Sequence, residues 1–132
     1  MSKITGIEKV TNTYINWKPS DVAFIKYVEW SGEKLALFVY SQLRNRGFGW
    51  PDLAKDFFEI SMHFYNVSNF KLEFLDSNLA QVSGFDIVDI STNGREKKNF
   101  QIEDYENGII SFTCEYIEIE IVSPPVKLYL NS

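Results

Sequence analysis

The stretch Phe100-Gln101-Ile102-Glu103-Asp104-Tyr105-Glu106-Asn107-Gly108-Ile109-Ile110-Ser111-Phe112-Thr113-Cys114-Glu115-Tyr116-Ile117-Glu118-Ile119-Glu120-Ile121 decides the fold. Its apolar residues alternate, which is the period of a half-buried strand and not of a helix. Asn107-Gly108 interrupts the alternation. Asn-Gly tolerates positive φ at both central positions of a tight hairpin turn, so the two flanking segments read as a hairpin. Beyond the turn, Ile110, Phe112, Cys114 and Tyr116 share one side. The apolar set then changes side to Ile117, Ile119 and Ile121. A strand that changes its buried side bends, bulges or passes between layers.

The same pattern extends outward. Pro124-Pro125 ends the last strand. Upstream, Ile60, Met62 and Phe64 alternate with Ser61, His63 and Tyr65, and Phe70, Leu72 and Phe74 follow. Between Gln81 and Ser91 the pattern shifts phase at Ile87/Val88, and Gly84 in the same segment suggests a bulge. Asn93-Gly94 reads as a second hairpin turn. Antiparallel strands with short connections therefore cover about 57–122.

Val22 to Trp30 and Leu35 to Leu43 flank Ser31-Gly32 and are rich in Val, Ile, Phe, Tyr and Trp, which favours a third hairpin. Leu35, Phe38, Val39 and Gln42 also fit a helix. Residues 4–16 read as a short helix or strand with Ile4, Ile7 and Val10 inward. Residues 44–56 read as a loop, with at most one helical turn after Pro51. The expected fold is mainly β: an antiparallel meander forming a curved sheet, sandwich or partly open barrel, with at most one or two short helices. The 132 residues form a single domain, 1–132.

Composition narrows function by exclusion. The chain is 45% hydrophobic and 16% aromatic, which supports a core and not a disordered tail. No run of about 18 apolar residues is present for a transmembrane helix. Thirteen basic against 18 acidic residues give a net charge of -5. A nucleic-acid binder ordinarily carries a basic surface, and here only Arg44/Arg46 and Arg95/Lys97/Lys98 cluster, in predicted turns or loops. The expectation is no nucleic acid, no membrane and, if any macromolecule, a basic partner.

Cys114 is the only cysteine and His63 the only histidine. No intramolecular disulfide can form, and no spacing suits a metal site. Met1 to Gly6 lacks the apolar run and cleavage site of a signal peptide. With the lone thiol, this predicts a cytoplasmic protein, in which Asn66-Val67-Ser68 is a chance glycosylation match. Cys114 lies on an apolar side and reads as a small core residue. His63, beside Ser61 and Tyr65, reads as a surface or edge residue. No phosphate-binding glycine loop or nucleophile elbow occurs. No catalytic residue, metal ligand or cofactor is assigned.

One surface is distinctive. Asp104, Tyr105 and Glu106 precede the Asn107-Gly108 turn, and Tyr116, Glu118 and Glu120 share a face on the returning segment. If Ile117, Ile119 and Ile121 face the core, these glutamates face water. Asp104, Glu106, Tyr116, Glu118 and Glu120 are therefore the candidate partner-binding residues, a docking patch for a basic protein. The same residues would also suit an ordinary solvated sheet face.

With the strands laid out, the chain resembles a known family. The features are Trp17 before an Asp-led strand at Asp21, the apolar strand Leu35 to Leu43, the run Ile60 to Leu72, and Phe100 to Gly108 followed by Ile110 to Cys114 and Ile117-Glu118-Ile119. Over about residues 17–122 this arrangement resembles the small bacterial immunity proteins of polymorphic-toxin systems, the immunity protein 50 family. Members often carry His-Asp-Ala where this chain has Ser20-Asp21-Val22, and Gly-Val where it has Asn66-Val67. The resemblance implies an antitoxin that binds and neutralises a cognate protein toxin, and no catalysis. The alternative is a small-molecule-binding or enzymatic β-domain with Trp30, Trp50 and Tyr65 around a cavity.

Overall fold

The computed structural model describes residues 4–44, 49–73, 79–93 and 98–129. Ten strands form two sheets. In chain order they are β1 (Ile4–Thr5), β2 (Val22–Ser31), β3 (Lys34–Ser41), β4 (Phe58–Tyr65), β5 (Ser68–Leu72), β6 (Ala80–Gln81), β7 (Phe85–Asp89), β8 (Phe100–Asp104), β9 (Ile110–Cys114) and β10 (Tyr116–Val122). A single helical turn, α1 (Glu8–Thr11), and 3₁₀ turns at Pro19–Asp21 and Ser91–Asn93 complete the described elements. The fold is mainly β, as expected.

One sheet runs β1-β10-β4-β3-β2-β6, the other β5-β9-β8-β7. All pairings are antiparallel except β1 with β10. The inward sides of both sheets share one core. Leu35, Leu37 and Val39 of β3, Ile60, Met62 and Phe64 of β4, and Ile117 and Ile119 of β10 meet Ile102, Ile110, Phe112 and Cys114. Phe64 and Phe112 cross the layer edge to face, with ring centroids 4.9 Å apart. Trp30 and Phe70 do the same at one end, at 4.9 Å. Aromatic pairs of this kind add to what area burial alone supplies.

The change of side read in the sequence is real. β9 ends in the smaller sheet at Cys114, Glu115 makes the turn, and β10 begins in the larger sheet. The chain crosses between sheets at three more places, of which the one from β5 to β6 runs through residues outside the described ones. Asn66-Val67 links β4 to β5, with Asn66 at φ +58°, a left-handed conformation that asparagine tolerates. Val82 to Gly84 links β6 to β7. Gly84 is therefore a crossing and not a bulge. A Cβ there would stand 2.6 Å from Glu106 Cγ and 2.9 Å from Glu106 N.

The β2–β3 segment is the expected hairpin, turning at Gly32-Glu33 with Gly32 at φ +61°. Several other local expectations are corrected. At Asn107-Gly108 only Gly108 has positive φ, at +67°. The turn spans five residues, closed by Gly108 N–H donating to Asp104 O. β7 and β8 do pair as a hairpin, but across residues 90–99, and Gly94 lies outside the described residues. β7 holds one register from Phe85 to Asp89, so Val88 is simply an exposed apolar residue, with no phase break. After Pro51 the chain makes a turn at Asp52–Lys55 and no helix. Residues 4–11 supply both a strand and a helical turn, with Val10 fully buried. Phe74 and the basic residues Arg46, Arg95 and Lys97 lie outside the described residues.

The last correction concerns Ile121. β10 pairs with β4 in register from Tyr116↔Tyr65 to Ile119↔Met62, then resumes one residue later at Ile121↔Ser61. Glu120 is the extra residue of a β-bulge. Past it, Ile121 points outward and is 58% exposed, while Ile117 and Ile119 are fully buried.

Candidate functional site

The outer face of the larger sheet carries the densest group of chemically active side chains among the described residues. Parity on β4 puts Ser61, His63 and Tyr65 on that face, because Ile60, Met62 and Phe64 face the core. The register places Glu118 of β10 and Ala36 of β3 beside His63, and Tyr116 and Lys34 beside Tyr65. Phe38 flanks Ser61, and Tyr27 of β2 lies beyond it.

These residues interlock. The Tyr65 and Tyr116 rings stack at 4.5 Å between centroids. Tyr65 Oη donates to Glu118 Oε1 at 3.0 Å. Burial, and then the Glu118 carboxylate it bonds, raise the Tyr65 hydroxyl above the usual phenol value. His63 Nε2 stands 2.6 Å from Glu120 Oε2, and its Nδ1 stands 3.9 Å from Glu118 Oε1. Tyr27 and Phe38 form a second stack at 4.2 Å. The far end of this face is covered instead: Phe24, Phe57 and Tyr40 pack with Trp50, Leu79, Val126 and Leu128.

His63 is not the surface residue the sequence suggested. It is only 8% exposed, because the taller side chains around it close over the imidazole. It has no relation to Cys114, which faces the core from β9 of the other sheet. Burial pushes the Cys114 thiol up to about 12, with Lys98 pulling weakly the other way. Such a thiol is a packing group and not a nucleophile.

Of the five predicted docking residues, Tyr116, Glu118 and Glu120 come together here. Asp104 and Glu106 do not. They belong to the smaller sheet and its turn, because the strand returning from Asn107-Gly108 is β9 and not β10. Asp104 is buried, and its carboxylate accepts from Gly84 N at 3.0 Å and from Asn107 N and Ile109 N at 3.4 Å. It organises the turn. Glu106 is exposed beside Gly84. Sequence reasoning missed Ser61, His63, Tyr65, Tyr27 and Phe38 as members of the face. Strand parity carried the signal for the three on β4; only the register could add Tyr27 and Phe38.

Trp30, Trp50 and Tyr65 do not surround a common cavity. Trp30 meets Phe70, Tyr65 lies on the outer face, and Trp50 donates to Gln42 O beneath Arg44. Arg44 is a clamp and not a solvated loop charge. It stacks 3.6 Å over Trp50 and donates to the Ser20 and Ser83 carbonyls. Two clefts lie elsewhere. One of about 720 Å³ is lined by residues that include Trp17, Lys18, Asp21 and Arg44. One of about 320 Å³ is lined by residues that include Tyr14, Gln42 and Phe58. The Asp21 carboxylate in the first accepts from Lys18 N and Arg44 N.

Among the described residues, no group of three or more His, Cys, Asp or Glu is arranged to hold a metal ion. No helix among them is long and apolar enough to cross a membrane. No protein-family model, curated protein or solved structure matches the chain.

Proposed function

We propose that this chain is an immunity protein, an antitoxin that binds a cognate bacterial toxin in the cytoplasm and neutralises it by protein–protein contact. The docking surface is the outer face of the larger sheet. The observation that carries the reading is the Tyr65–Tyr116 stack beside the half-exposed carboxylates of Glu118 and Glu120. Aromatic side chains supply contact area at low entropic cost, and carboxylates next to them select a basic partner. The resemblance to the immunity proteins supports the same class. So does the separation of the one thiol from the one imidazole, which leaves no nucleophile–base pair of that kind.

The test is association with the toxin domain encoded beside this gene, measured by stopped-flow fluorescence at several salt concentrations. Wild type should bind with a rate that falls as salt rises. Glu118→Gln with Glu120→Gln should slow association by about tenfold and flatten the salt dependence. A rate indifferent to both substitutions removes the face from the docking surface. Failure to protect cells from that toxin removes the antitoxin reading.

A further inference from the structure

We propose that the docking face is built to take one arginine side chain of the partner, seated over Ser61 between the aromatic stacks and against Glu118 and Glu120. The inference rests on the docking reading above and names the group that face recognises.

The first observation is the floor. Ser61 is 6% exposed, and its Oγ is the one buried side-chain oxygen or nitrogen without a hydrogen-bond partner among the described residues. A hydroxyl shut from water without a partner is unfavourable, and native structures rarely keep one without a reason. Ala36, also buried, stands diagonally across from it on β3. Phe38 and Ile121, the partners of Ser61 in register, flank it on its two sides, and a ligand reaches the hydroxyl by turning these neighbours aside.

The second observation is the wall. Tyr27, Tyr116 and Ile121 are 44%, 47% and 58% exposed, and the side chains of Glu118 and Glu120 are 42% and 45% exposed. Their upper parts are in water while the floor between them is dry. The Tyr27–Phe38 stack stands directly beside Ser61, and the Tyr65–Tyr116 stack stands further along the face, past His63. The bulge puts Glu120 beside Ser61, and His63 Nε2 at 2.6 Å holds that carboxylate in place from below.

The third observation is charge. Glu29, Glu59, Glu118 and Glu120 lie on this face. Its cations are Lys34 and Lys26, and Lys26 is already paired with Glu59 at 3.3 Å. Lys9 reaches only the Glu120 backbone carbonyl. A neutral occupant would dehydrate two carboxylates that have the Tyr65 hydroxyl and the His63 ring beside them, and would bring no charge to balance them. A guanidinium offers five donors in a plane, enough for both carboxylates and for Ser61 Oγ as an acceptor. Its flat face stacks on tyrosine, and its apolar stem fits against Phe38 and Ile121. An ammonium is a point charge that meets fewer of these groups at once.

His63 is the only histidine, so its ring protons give one unambiguous set of NMR signals. The full chain is titrated with N-acetyl-arginine amide, and separately with the lysine and citrulline analogues at matched ionic strength. Arginine should shift the His63 signals saturably, about fivefold more tightly than lysine, and citrulline should not saturate. Ser61→Ala should weaken arginine binding about threefold without lowering the melting temperature. Glu118→Gln with Glu120→Gln should abolish it. Unmoved His63 signals, equal binding of lysine, or unchanged affinity in Ser61→Ala overturns the proposal. If toxin association remains sensitive to the glutamine substitutions in that case, the docking face stands and only its arginine is discarded.

Discussion

Glu120 reaches His63 because it is the extra residue of a bulge: its carboxylate stands 2.6 Å from His63 Nε2, although the residue paired opposite His63 is Glu118. One imidazole therefore meets two carboxylates from the same strand. Without the bulge, Glu120 would take the place of Ile121 opposite Ser61. Deleting Glu120 should leave Ile119↔Met62, Ile121↔Ser61 and Val122↔Ile60 as they are. Urea denaturation should then show a loss of no more than about 1 kcal/mol, because the core pairing is kept. If the proposed docking face is right, association with the toxin should slow, because Glu120 contributes one of the two carboxylates that select the basic partner.

Asp104 should be a stability residue and not a binding residue. It is 2% exposed and serves three backbone N–H groups of the Gly84 and Asn107-Gly108 region. Asp104→Ala should cost about 2–4 kcal/mol in urea denaturation, since two buried donors and one part-buried donor lose their acceptor. Asp104→Asn, which keeps one acceptor oxygen, should cost less. The association rate of the folded fraction should not change in either variant.

Gly84→Ala tests the crossing from β6 to β7. The added carbon would meet both the Glu106 side chain and its backbone nitrogen, at 2.6 and 2.9 Å. A side chain can swing away and a backbone nitrogen cannot. The substitution should cost about 1–3 kcal/mol, and adding Glu106→Ala should not restore the loss. Gly32→Ala, with nothing within 4 Å of the new carbon, should show only the cost of φ +61°, about 1 kcal/mol.

Ser61→Ala should stabilise the free protein. It removes a buried hydroxyl that has no partner, and the expected gain is about 1 kcal/mol by thermal or chemical denaturation. A loss of that size would mean that the hydroxyl is bonded in solution.

Cys114 gives a pH prediction. Its thiol is pushed up from 9.0 to about 12 by burial. Between those values the unfolded chain loses the proton and the folded chain keeps it. The contribution to stability is complete below pH 9.0 and shrinks as pH rises toward about 12. Cys114→Ala should flatten the fall in melting temperature between roughly pH 9 and 10.5. In the native protein a thiol reagent at neutral pH should react no faster than the chain unfolds.

Much of the fold was legible because apolar alternation and turn chemistry act locally. Ile117 and Ile119 followed their parity inward, and the change of side after Cys114 announced a crossing between layers. Ile121 broke the rule because a bulge depends on the partner strand and leaves no mark in the strand's own sequence. Asp104 was misplaced for another reason. It shares parity with Phe100 and Ile102, and that inward phase was visible, but its charge argued for water. Three backbone donors, Gly84 N–H from 20 residues upstream and the Asn107 and Ile109 N–H groups of the turn itself, outweighed the charge. The candidate face was half legible. Tyr116, Glu118 and Glu120 came from one strand, whereas joining them to His63 and Ser61 required the register with β4.

The place of β10 between β1 and β4 has a consequence for how the chain is made. β1 leaves the ribosome before the other nine strands, yet its pairing partner among the described residues is the last of the ten to be made. Until then β4, with Ile60, Met62 and Phe64, presents an open row of backbone donors and acceptors. The 57 residues that follow Tyr65 up to Val122 take about 3–11 seconds to translate at ordinary rates of synthesis. Throughout that interval the open edge of β4 is available to another chain. A product truncated before residue 116 should keep that edge open, and limited proteolysis should cut it faster than a chain that includes β10.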